Sequence, residues 1–147
     1  MTVGTPPICL SVCMRCRPDG WKGDDERRPG ALLVELIAQF RHDVGAGKFV
    51  LREIRCMSQC RRPCVVALSG ENRFTYLFGD LMPYRDAAAV LDLLKLYGSR
   101  PDGYMARGER PGPMRAGILG RIPPLGSTSA LVHREIACPA STAASSA

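Results

Sequence analysis

The chain has 147 residues, 46% hydrophobic and 23% charged. That is one domain's worth of chain with enough apolar content for a core, and it is neither a disordered polyelectrolyte nor a multidomain assembly. No apolar run approaches the roughly 18–20 residues of a membrane span. The net charge is +6, with 17 Arg and only 3 Lys among the basic residues. The basic residues are scattered and form no stripe with interleaved aromatics, so no nucleic-acid partner is expected. Residues 1–9 carry no basic stretch ahead of an apolar run, so no secretory signal is expected and the expected compartment is the cytoplasm.

Residues 6–13 read as a first strand, with Ile8, Leu10 and Val12 on one face. Cys13 and Cys16 leave it in a turn, and residues 21–28 are a charged loop. Pro29 suits a helix start. Leu33, Leu36, Ile37, Phe40 and Val44 then repeat at helical spacing, and Gly45 and Gly47 end the run. Residues 48–55 read as a second strand, delivering the chain to Cys56. A third strand over 63–69 and a fourth over 73–78 are joined by Gly70-Glu71-Asn72, a hairpin signature. Pro83 opens a second helix, with Ala87, Val90, Leu91 and Leu94 on one face, ending at Gly98. The order is β-α-β-β-β-α, an α/β domain over 6–98.

Residues 99–124 carry five Pro and five Gly and show neither helical nor strand period. Their apolar residues need a surface to cover, so an irregular extension over 99–125 is expected to pack back on the domain. Residues 126–147, rich in Ser, Ala and Thr, read as a disordered tail.

Seven cysteines carry the chemical signal. Without an export signal, grouped cysteines point to a metal or to redox chemistry before a disulfide framework. Cys13-x-x-Cys16 and Cys56-x-x-x-Cys60 each follow a strand, and two such pairs can meet at one sheet edge. Four thiolates satisfy either a tetrahedral Zn or a 2Fe–2S cluster. Cys64 opens the third strand, where packing and ligation are equally open to it. Cys9 reads as a small core residue and Cys138 as incidental. His42 and His133 are poor ligand candidates. Tyr76 and Phe78 read as sheet packing, and Asp80 and Asp86 as helix-entry residues. Arg15, Arg17, Arg55, Arg61 and Arg62 flank the cysteines. They form either a solvated rim or a surface that offsets cluster charge and steers an acidic partner. No Ser–His–Asp set, P-loop or Rossmann fingerprint is present, so an enzyme is not expected.

The stretch Cys56-Met-Ser-Gln-Cys60-Arg-Arg-Pro63-Cys64, with the Phe74-Thr75-Tyr76-Leu77-Phe78-Gly79-Asp80 strand, resembles the second half of thioredoxin-like 2Fe–2S ferredoxins. The fuller pattern resembles a bacterial family of uncharacterised predicted metal-binding proteins. It comprises Cys13 and Cys16, Pro29-Gly30, Cys56, Cys60 and Cys64, and Tyr76 to Asp80. Pro101-Asp102-Gly103, Arg110-Pro111 and Arg121-Ile122-Pro123-Pro124 complete it. The resemblance implies a thioredoxin-like ferredoxin fold and metal binding.

The leading expectation is a small 2Fe–2S electron carrier, ligated by Cys13, Cys16, Cys56 and Cys60 with Cys64 as a further candidate, and served by an acidic redox partner. One alternative is a Zn or Co module in metal trafficking or cobalamin-linked metabolism. Another is a thiol–disulfide oxidoreductase using Cys13 and Cys16. Thioredoxin-type chemistry places its CxxC at a helix N-terminus, whereas here Pro18-Asp19-Gly20 and a charged loop follow. The sequence sets no oligomeric state.

Overall fold

β1 (Ile8–Cys13) is the hub of the molecule, as seen in a computed structural model that describes residues 7–24, 27–42 and 48–139. It pairs in parallel with β2 (Phe49–Ile54), from Ile8 opposite Phe49 to Cys13 opposite Ile54. On its other side it pairs antiparallel with β3 (Val66–Gly70), Leu10 opposite Leu68 and Val12 opposite Val66. β4 (Thr75–Phe78) follows across a tight turn, as the hairpin signature predicts. Asn72 in that turn takes a left-handed φ of 57°, which its short amide side chain tolerates.

Two helices supply the rest of the core. α1 (Pro29–Phe40) and α2 (Pro83–Ser99) each open on proline, whose missing N–H and fixed φ suit the first helical turn. Leu33 and Ile37 of α1 are fully buried, as are Val90, Leu91 and Leu94 of α2. The two helices pack on each other, and α1 packs on β1 and β2. The apolar face of α1 is shorter than its periodicity predicts: Leu36 is half-buried and Phe40 is 40% exposed. Val44 and the glycines expected to end that helix lie outside the described residues, as does the expected strand start at Pro6. The open end of α2 is closed by Arg73, a buried guanidinium. Its Nη1 donates to the Tyr97 and Arg100 carbonyls at 2.9 and 2.7 Å. A cation there answers the negative pole of the helix.

The extension is more regular than expected. Residues 118–122 are not irregular. They form β5 (Ile118–Ile122), antiparallel to β4 with Thr75 opposite Ile122 and a bulge at Leu77/Phe78. The sheet therefore has five strands, in the order β2-β1-β3-β4-β5, where the sequence predicts four. A 3-10 turn (Arg107–Glu109) and a short helix α3 (Pro113–Ala116) precede β5. The extension is packed down: Met105 and Met114 are fully buried. The Tyr76 hydroxyl ties it to the sheet, accepting from Met105 N at 2.8 Å and donating to Met105 O at 3.2 Å.

Residues 126–139 form no helix or strand, and 140–147, the rest of the expected tail, lie outside the described residues. Among the described residues, no helix is long and apolar enough to cross a membrane.

Candidate metal centre

The parallel pairing of β1 and β2 decides where the cysteines go. Both strands end at the same edge of the sheet, with Cys13 opposite Ile54. Neighbouring strands lie about 4.8 Å apart, so the two cysteine-bearing segments leave side by side. The Met14 N–H donates to the Ile54 carbonyl at 2.8 Å, extending the pairing past the strand end. β3 runs the opposite way and so starts at this edge, which brings in Cys64. The Cys13 N–H donates to Val65 O at 3.0 Å. Five of the seven cysteines thus share one end of the sheet.

They are not alike. Cys13 and Cys16 are each 3% exposed and Cys64 is fully buried, whereas Cys56 and Cys60 are exposed. Cys13 and Cys16 are in side-chain hydrogen-bond contact, and Cys64 lies within electrostatic reach of both. Burial pushes the Cys16 thiol up to about 12, helped by its bond to Cys13, while the Val65 backbone N–H pulls the other way. Burial likewise pushes Cys64 up to about 12, with Cys13 and the carboxylate of Asp86 adding to it. These are thiols held protonated in the metal-free chain. Cys56 accepts a hydrogen bond from the Ser58 N–H at 3.4 Å, within a turn that puts Ser58 at a φ of 59°.

The supports of the site come from three elements. Gly30, in the first turn of α1, lies so close to β1 that an added Cβ would fall 1.9 Å from the Cys13 carbonyl oxygen. Only glycine fits, and the contact brings the α1 N-terminus against the Cys13 turn. The sequence puts a charged loop after Cys16, yet the fold returns a helix start to its neighbour. Cys64 is fixed from the α2 side, its N–H donating to Leu81 O at 3.0 Å and its carbonyl accepting from Leu81 N at 3.3 Å. Asp86, 1% exposed, accepts from Met82 N at 2.7 Å and from Arg85, the helix-entry role its sequence position suggests.

Arg62 is more than rim. Its Nε lies 2.8 Å from the Asp80 carboxylate and its carbonyl accepts from Asp80 N. No sequence signal links residues 18 apart in this way. Arg15, Arg17, Arg55 and Arg61 are exposed around the cysteines. Cys9 sits within β1 with its sulfur toward Ser11, and Cys138 is exposed in the C-terminal coil. His42 and His133 are exposed.

A thiol-rich donor set suits Zn or an iron–sulfur centre. The residues fit such a group in kind and in their common edge. Among the described residues, no three Cys, His, Asp or Glu side chains are drawn together tightly enough to be a ready-made ion site.

A family model described as a protein of unknown function (DUF1636) matches residues 10–124. The chain belongs to this family. The match runs from β1 through β5, so the family spans the sheet, the cysteine edge and the packed extension together. No curated protein matches the chain. Among solved structures it is similar to a thioredoxin-like [2Fe-2S] ferredoxin from Aquifex aeolicus. That likeness has 15% identity and a TM-score of 0.50, covering 84% of this chain and 99% of that one. A second structure of such a ferredoxin from the same organism, wild type and at 1.5 Å resolution, matches at 20% identity over 79% of this chain and 99% of that one, with a TM-score of 0.49. At 15% identity the first likeness shows the fold: this DUF1636 chain has the thioredoxin-like ferredoxin architecture.

Proposed function

We propose that this DUF1636 protein is a cytoplasmic metal-binding protein, a 2Fe–2S electron carrier and not an enzyme. The observation that supports it most is the shared edge, where two cysteine pairs leave adjacent parallel strands beside a buried third thiol. Cys13 and Cys16 would hold the group from the buried side and Cys56 and Cys60 from the exposed side, with Cys64 beneath. A 2Fe–2S centre bound there supplies one-electron transfer.

The chain's own part is positional. β1 and the Gly30 contact hold Cys13 and Cys16 in a dry wall. The Ser58 N–H donates to the Cys56 sulfur at 3.4 Å and fixes its place in the turn. The paired Arg62 and Asp80 anchor the segment that carries Cys60 and Cys64. Ligand thiols must lose their protons, so metal binding releases protons from Cys16. The exposed Arg15, Arg55 and Arg61 give the edge a positive rim for an acidic redox partner, whose association would weaken as salt rises.

Single replacement of each cysteine by serine, followed by iron and sulfide analysis after reconstitution, tests the assignment. Cys13→Ser, Cys16→Ser, Cys56→Ser and Cys60→Ser should each lower cluster content, and Cys9→Ser and Cys138→Ser should not. Full content in all four former variants would reject it.

A further inference from the structure

On the far side of β4 from the cysteine edge, the extension builds a second polar site. Arg107, Arg110 and Arg121 line an open pocket of about 440 Å³ between the 3-10 turn and β5, with Ile118, Leu119 and Gly120 completing its wall. Arg110 is 3% exposed. Its Nη1 donates to the Met114 carbonyl at 3.0 Å, but its buried Nε meets no acceptor among the described residues. Burial pushes its pKa down; the Tyr76 phenol works against this, and the neighbouring cations Arg121 and Arg107 push it further down.

The one carboxylate on the turn is already occupied: Glu109 pairs with Arg100 and accepts from the Ala106 N–H at 3.0 Å. Arg115 is spent as a brace, donating to the Arg110 and Gly108 carbonyls. Arg121 is held over the Tyr104 ring, 5.6 Å from its centroid. A guanidinium buried without a counter-charge is costly unless an anion answers it.

We propose that Arg107, Arg110 and Arg121 form a binding site for the terminal phosphoryl group of a small phosphate. Three arginines line it, and a phosphate monoester carries about −1.5 to −2 charges at neutral pH against one for a carboxylate. Arginine's planar fork matches phosphate oxygens two at a time. Arg110 is only 3% exposed, and a terminal phosphoryl group approaches such a buried guanidinium more freely than a backbone phosphodiester does. The pocket is also in the size range of small-molecule sites, about 300–1,000 Å³, which leaves room beyond the phosphoryl group.

The test is calorimetry and thermal unfolding of the full chain with inorganic phosphate, ribose 5-phosphate and a single-stranded oligonucleotide, at constant ionic strength. Saturable binding of either phosphate, with a rise in melting temperature, is expected. A tighter ester assigns an organic phosphate, and tighter inorganic phosphate assigns the free anion. Arg110→Met should weaken binding by about tenfold or more, the usual effect of losing a charge-assisted bond. Should that variant fold poorly, the exposed double variant Arg107→Gln/Arg121→Gln should lose binding while keeping its melting temperature and metal content. No saturable binding, equal response to chloride, preference for the oligonucleotide, or undiminished binding in the double variant would overturn the proposal.

Discussion

Arg62 and Asp80 grip each other twice: the guanidinium Nε meets the carboxylate at 2.8 and 2.9 Å, and the Asp80 N–H donates to the Arg62 carbonyl at 2.9 Å. The pair ties the Cys60–Cys64 segment to the turn that leads into α2. Gly79 completes the junction, since a Cβ there would fall 2.6 Å from the same Arg62 carbonyl.

Arg62→Ala or Asp80→Asn should therefore loosen Cys64 without unfolding the sheet. The measurement is the alkylation rate of Cys64 in the metal-free protein at neutral pH, which should rise in both variants. The bond to Arg62 holds the Asp80 carboxyl below its usual range. Its contribution is present above the unfolded carboxyl pKa and is lost as pH falls through the lowered folded value. Acid should thus raise Cys64 reactivity relative to that of a free thiol in the wild type, and not in Asp80→Asn.

Thiol exposure divides six of the seven cysteines into two sets, with Cys9 half-buried between them. In reduced, metal-free protein a water-soluble thiol reagent should modify Cys56, Cys60 and Cys138 rapidly, and Cys13, Cys16 and Cys64 only on unfolding. The buried thiols also set a stability trend. Cys16 and Cys64 sit near 12 when folded against an ordinary 9.0, so the folded state keeps protons that the unfolded chain releases between those values. Stability from this source is complete below pH 9 and falls as pH rises toward 12. Denaturant midpoints of the metal-free chain across pH 8–10 should fall at the alkaline end, and less so in Cys64→Val.

Gly30→Ala places a methyl carbon on the Cys13 carbonyl. With backbone on both sides of the contact, relief requires α1 to shift, a strain of roughly 1–3 kcal/mol by the measure of overpacked cores. Urea unfolding should show that loss. The same variant should bind metal less completely, because the displaced element is the one that holds the Cys13 turn. Unchanged stability would mean that the α1 start is not pressed against β1.

Tyr76→Phe removes the hydroxyl that serves both backbone groups of Met105. Leaving buried donor and acceptor groups unpaired costs about 1–3 kcal/mol. The loss should appear as a lower midpoint of a single cooperative transition, since the extension contributes β5 and two buried methionines to the same core. An unchanged midpoint would detach the extension from that core.

Much of this was legible in the chain. Prolines at 29 and 83 marked both helix starts, and the alternation around Gly70-Glu71-Asn72 marked the hairpin, because these are local signals. β5 was not legible. Ile118-Leu119-Gly120-Arg121-Ile122 has a glycine at its centre and no alternation, and it is a strand because β4 offers it an edge. The cysteine spacing pointed to one sheet edge, and the parallel register of β1 and β2 supplies it. The contrast between buried Cys64 and exposed Cys56 and Cys60 could not be read, since it depends on where β3 starts relative to β1. The arginine pocket was hidden for the same reason: Arg107, Arg110 and Arg121 line one pocket only once the extension folds onto β4.

The central claim is that the cysteine edge holds a 2Fe–2S cluster. Anaerobic purification of the full chain, with visible absorption, electron paramagnetic resonance after reduction, and iron and acid-labile sulfide analysis, tests it most directly. The account predicts a brown protein with iron and sulfide in equal amounts, two of each per chain, and a paramagnetic signal on one-electron reduction. A colourless protein carrying one zinc and no sulfide would contradict it.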